Sequence, residues 1–198
     1  SSELREINKN GLIALLKSKL VHISANSELN FDHLLPLDPL AAVTLTKSIQ
    51  RYGQNERSLF SFLESEELAS KMALGEFFTV SDCFDFLMTN MNSSIEDGEK
   101  NPFKPQWKSA IIALEKTEFF EEYSVESIHK VLKTICLANI FSHAGAVLDN
   151  DSLSSYAKLY LGVEDCEGII KLLEKKKLIK YSFYRSKYNF VDGTDIDI

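Results

Sequence analysis

Apolar residues recur at steps of three and four from Leu4 through Ile7, Leu12, Leu15 and Leu16 to Leu20, with Gly11 on the same stripe. That spacing predicts an amphipathic helix over residues 4–20. Pro36 and Pro39 then interrupt the chain, and residues 23–38, with Ser24, Asn26, Ser27 and Asn30, read as loop or short turns. Asp38 is placed to cap a helix whose first residue is Pro39. That helix runs toward Tyr52 and ends at Gly53. Leu59, Phe60, Phe62 and Leu63 make a compact apolar group, followed by a short helical run over residues 66–74. Residues 79–82 lead into a further helix around residues 83–88. Residues 90–105 are polar and carry Gly98, Pro102 and Pro105, so they are expected to be the main internal loop and a mobile one.

Helical spacing returns at Trp107, Ile111, Ile112 and Leu114. Ser124 is positioned to cap a long helix over residues 125–142, with a stripe at Val125, Ile128, Val131, Leu132, Ile135, Leu137, Ala138 and Phe141. After a turn at Gly145, a shorter helix is expected over residues 153–161, ending at Gly162, and a third from Glu164-Asp165 to Lys177. The period then changes to two. Residues 178–184 and 187–191 read as strands of a hairpin turning at Arg185-Ser186, with Tyr181, Phe183, Tyr188 and Phe190 alternating with polar residues. Long helix, short helix, helix and hairpin make a winged-helix pattern. The expected fold is therefore mainly α: a helical subdomain over residues 1–123, packed on a winged-helix unit over residues 124–198 with a β-hairpin wing.

Composition narrows the function. The 198 residues are 44% hydrophobic, enough to bury a core without staples. The net charge is −7, and all of it lies in residues 1–123; residues 124–198 carry ten cations against ten acids. Lys175, Lys176, Lys177, Lys180, Arg185 and Lys187 cluster at the end of the third helix and on the wing and are candidate nucleic-acid contacts. They also fit simple complementation of a helix dipole. Groove-reading helices enter with their N-terminal residues, which here are the acidic Glu164, Asp165 and Glu167. Nucleic-acid binding therefore ranks behind a protein-protein or intramolecular role. Cys83, Cys136 and Cys166 lack CxxC spacing, and His22, His33, His129 and His143 are scattered, so no metal is expected and the cysteines read as core residues of a cytoplasmic chain. His22 and His129 lie near apolar stripes and read as structural. No leader or membrane span is apparent in residues 1–198. The chain starts without Met and ends on Asp195-Ile196-Asp197-Ile198, so it is expected to be a fragment.

No P-loop, GxGxxG, GxSxG or HExxH motif occurs, and only eight glycines are present. The acidic pairs Glu121-Glu122 and Asp195/Asp197 read as solvated faces. Arg57 is more unusual. It sits in the polar string Gln54-Asn55-Glu56-Arg57-Ser58, between a helix end and an apolar group. One reading is an Arg57–Glu56 pair locking two helices. The other is an arginine presented to a phosphate, which suits a guanidinium because it stays charged and forks onto phosphate oxygens.

Two stretches carry a family resemblance. One is Pro36-Leu37-Asp38-Pro39-Leu40 through the string Gly53-Gln54-Asn55-Glu56-Arg57-Ser58-Leu59-Phe60-Ser61-Phe62-Leu63. The other is Val131-Leu132-Lys133-Thr134-Ile135-Cys136-Leu137 with the ending from Tyr188 to Ile198. Together they resemble the region after the nucleotide-binding core in large bacterial P-loop ATPases of the STAND/AAA+-like kind, found in phage-defence and DNA-modification systems, BREX-type ATPases included. The resemblance spans residues 36–198. Where members of that group read Trp or Phe and then Glu-Gly-Ser-Asp, this chain has Val191-Asp192-Gly193-Thr194-Asp195, which leaves the subfamily open. The resemblance implies a helical lid followed by a winged helix, with ATP and Mg held by a core outside this chain and no cofactor within it. Carried onto this sequence, Arg57, with Gln54 and Asn55, becomes a nucleotide-sensing candidate, and the other domains of the parent ATPase become the expected partners. The expectation is a non-catalytic regulatory fragment, with a nucleic-acid-binding winged helix as the alternative.

Overall fold

The computed structural model describes residues 2–22, 31–53, 56–97 and 99–191, and the protein is mainly helical. The order is α1 (Ser2–Lys17), a 3-10 turn (Phe31–Leu34), α2 (Pro39–Tyr52), α3 (Glu56–Leu63), α4 (Glu66–Leu74), α5 (Val80–Asn90) and α6 (Asn92–Glu96). Then come α7 (Lys104–Thr117), α8 (Val125–Phe141), α9 (Asn150–Tyr156) running into a π turn (Ala157–Leu161), α10 (Cys166–Lys175), β1 (Ile179–Ser182) and β2 (Lys187–Phe190). Helix α8 is the axis. Ile128, Val131, Leu132, Ile135, Cys136 and Leu137 are fully buried, because α5, α7, α2 and β2 cover α8 on different sides. The core continues without a break from α1 to β2.

The expected start of α2 holds. Asp38 Oδ1 accepts from the backbone N–H groups of Leu40 (2.8 Å) and Ala41 (2.9 Å), and Pro39 occupies the first turn. The same carboxylate reaches across the fold. Tyr156 Oη donates to Asp38 Oδ2 at 2.7 Å and accepts from Val80 N at 3.1 Å, so one buried junction ties α2, α5 and α9 together. Gly53 does end α2, but in extended backbone (φ −82°) and not in a left-handed cap.

Residues 90–105 are the clearest departure from expectation. They carry α6, and Ile95 and Asn101 are buried. Asn101 Nδ2 donates to Ile95 O (2.8 Å), and its Oδ1 accepts from Tyr52 Oη (3.1 Å) and Phe103 N. Tyr52 Oη in turn accepts from Trp107 Nε1 at 3.1 Å. A polar sequence is thus anchored by one asparagine that meets its hydrogen bonds inside the protein.

In the C-terminal part, the expected third helix begins at Cys166, with Asp165 as its cap, and the second begins at Asn150 with Asp149 as its cap. β1 and β2 pair antiparallel with Ile179 opposite Phe190 and Tyr181 opposite Tyr188. The turn is longer than expected: residues 183–186 separate the strands, and Phe183 projects into solvent beside Tyr184 instead of joining the half-buried face. Leu148 forms a further isolated bridge with Lys187. Among the described residues, no helix is long and apolar enough to cross a membrane.

Candidate functional site

Helix α3 is fixed by one face. Phe62 is buried between Phe78 and Phe86, edge-on to each at 5.2 Å between ring centroids. With Phe62 inward, Arg57, Ser58 and Ser61 fall on a flank that faces the α5–α6 junction. Together with Asn90, Ser93 and Ser94 from that junction they line a hollow of about 330 Å³, floored by Tyr52 and Phe86. Among the described residues no carboxylate pairs with the Arg57 guanidinium, Glu56 included, and Arg57 is exposed. The hollow therefore presents one permanent cation beside hydroxyls and an amide, with no acid among the described residues that line it. Such a donor-rich set can accept an anionic oxygen group. Gln54 and Asn55 lie outside the described residues. Asn90, Ser93 and Ser94 belong to the segment expected as loop, so only the fold brings them to Arg57.

The basic cluster divides. Lys176 lies 3.8 Å from Glu122 and stacks 5.2 Å over the Phe120 ring. Lys175, Lys177 and Lys180 are exposed at the end of α10 and the start of the hairpin. Lys187 turns inward and donates to Ser142 Oγ at 2.6 Å, and burial together with nearby Arg185 lowers its pKa. Arg185 and Lys187 belong to a separate cleft of about 510 Å³ beneath the hairpin, and this cleft also contains Gln106 and Asn139. At the start of α10 the acids are engaged locally. Asp165 accepts from Tyr123 Oη (2.7 Å) and Gly168 N (2.9 Å), which hold its carboxyl below the ordinary range, and Glu167 pairs with Lys171.

The remaining candidates fall into place as structural groups. Cys83, Cys136 and Cys166 are free and buried, and burial pushes each thiol up. His129 Nε2 lies 3.1 Å from Leu114 O. His22 and His143, distant in sequence, bring their rings to 5.3 Å, and nearby Lys47 lowers His143. Among the described residues no group of three or more His, Cys, Asp or Glu could hold a metal ion. Glu121 and Glu122 are exposed, and Asp195 and Asp197 lie outside the described residues. No protein-family model, curated protein or solved structure matches the chain.

Proposed function

We propose that this chain is a non-catalytic regulatory and interaction module of a larger P-loop ATPase, and that it senses the nucleotide of that protein through Arg57. One observation carries the reading: an exposed arginine, with no carboxylate partner among the described residues, stands over a hollow lined by Ser58, Ser61, Ser93, Ser94 and Asn90. An arginine used for structure is ordinarily paired or stacked, whereas one used for phosphate must be left available. A guanidinium supplied from a neighbouring domain adds positive charge at the phosphoryl group without any catalytic apparatus of its own. The order α8, α9, α10, β1, β2, with the bridge from Leu148 to Lys187, supports a winged-helix unit in the C-terminal part as the surface that engages other domains or a protein partner.

The reading fails or stands on Mg·ATP. The isolated chain binds ATP weakly through its phosphates and hydrolyses none, and R57A lowers that binding by about tenfold or more, as loss of a charge-assisted pair requires. Turnover at an ordinary enzyme rate, on the order of 10 per second, would refute the non-catalytic reading, and undiminished binding by R57A would refute the role of Arg57.

A further inference from the structure

The cleft beneath the hairpin is a separate feature, sharing no lining residue with the Arg57 hollow. Its volume of about 510 Å³ lies within the range of small-molecule sites. Its walls differ in chemistry. One is cationic, from Arg185 and Lys187 in the hairpin. Gln106 of α7 and Asn139 of α8 add amides to the lining, and Asn139 is held by a 2.7 Å hydrogen bond from Nδ2 to Tyr188 O. The remaining surface includes Phe190, and the almost fully exposed Tyr184 stands at the rim.

The electrostatics are unbalanced. Among the described residues, none lining the cleft is acidic. Among the described residues the Arg185 guanidinium has no carboxylate partner, and Lys187 has only the neutral Ser142 hydroxyl. Lys187 is half-buried, and both its burial and Arg185 disfavour its charge. Two like charges held together without a counter-charge are a cost that an anion between them would remove. An exposed tyrosine and a half-buried phenylalanine bordering the same space offer aromatic faces for a flat ring.

We infer that this cleft binds a small phosphate ester carried on a flat ring, its phosphate between Arg185 and Lys187 and its ring against Tyr184 and Phe190. The inference does not depend on the role given to Arg57.

The test uses adenosine monophosphate as the probe, followed by calorimetry on the whole chain, with inorganic phosphate and adenosine as separate ligands. Adenosine monophosphate should bind more tightly than either part. R185A, in an exposed turn, should weaken it by about tenfold or more with an unchanged circular dichroism spectrum, because one charge-assisted hydrogen bond is lost. K187M should do the same, and Y184A should weaken adenosine monophosphate while leaving inorganic phosphate unaffected. All of these measurements are made in the R57A background, which removes any phosphate held at the Arg57 hollow. The inference is overturned if adenosine monophosphate fails to bind up to about 10 mM in that background, or if adding R185A or K187M leaves its binding unchanged. A single-stranded oligonucleotide that binds the cleft more than tenfold tighter than the mononucleotide would also overturn it, in favour of a nucleic-acid surface.

Discussion

Replacing Asp38 by asparagine isolates a single titration inside the core. Asp38 is fully buried, and burial raises its pKa from 3.8 to about 7 although Tyr156 and the N–H groups of Ala41 and Leu40 pull the other way. The substituted side chain keeps an amide oxygen for the two backbone N–H groups, so D38N retains the helix cap; it removes the ionisation and also the oxygen that accepts from Tyr156 Oη, a loss that offsets the two stabilities by an amount independent of pH in this range. The folded pKa lies above the unfolded one. Between the two values the folded chain therefore binds the extra proton, and stability falls as pH rises. The shift from 3.8 to about 7 exceeds three units, and each unit is worth about 1.36 kcal/mol, giving roughly 4 kcal/mol. Urea unfolding of wild type and D38N, followed by circular dichroism from about pH 4 to about pH 8, measures it. The stability of wild type relative to D38N should be greatest near pH 4, decline by up to that amount toward pH 7, and then level off. A difference that stays flat, or that grows with pH, would refute the reasoning, because it would mean that the three donors balance or outweigh burial.

Other expectations follow from particular contacts. A Cβ on Gly11 would collide with the Tyr160 hydroxyl, so G11A should destabilise by about 1–3 kcal/mol. Tyr160 Oη has no hydrogen-bond partner among the described residues, so Y160F should cost little alone and recover part of the loss in the double variant. Y52F leaves Trp107 Nε1 and Asn101 Oδ1 each short of a partner and should cost about 1–3 kcal/mol by chemical denaturation. R57A, by contrast, should change stability by less than about 0.5 kcal/mol, and a larger loss would identify Arg57 as a structural residue.

Local signals carried most of the elements. Asp38-Pro39 marked the start of α2, and Gly162, with φ +65°, ends the turn where the sequence put it. The change to period two after Leu178 marked the hairpin. What local signals could not carry was long-range pairing. Asn101 looks like a loop residue until Tyr52 and Ile95 are brought to it, and Asp38 looks like an ordinary cap until Tyr156, 118 positions away, closes over it. The candidate site divides in the same manner. Arg57 stands out within its own string, whereas Ser93 and Ser94 become relevant only once the fold brings α6 to the hollow that α3 also lines. The six clustered cations read as one patch in sequence, but α10 and the hairpin send Lys176 toward Glu122 and Lys187 toward Ser142.

The claim that Arg57 is a phosphate-contacting residue is tested most directly by nuclear magnetic resonance of its own side chain. The chain labelled with nitrogen-15 is titrated with pyrophosphate, and the Arg57 Nε–H signal is followed together with the amides of Ser93 and Ser94. If Arg57 contacts phosphate, these signals move together and saturate, and the Ser93 and Ser94 shifts vanish in R57A. An Arg57 signal that stays fixed while pyrophosphate shifts other residues, or serine shifts that survive in R57A, would contradict it.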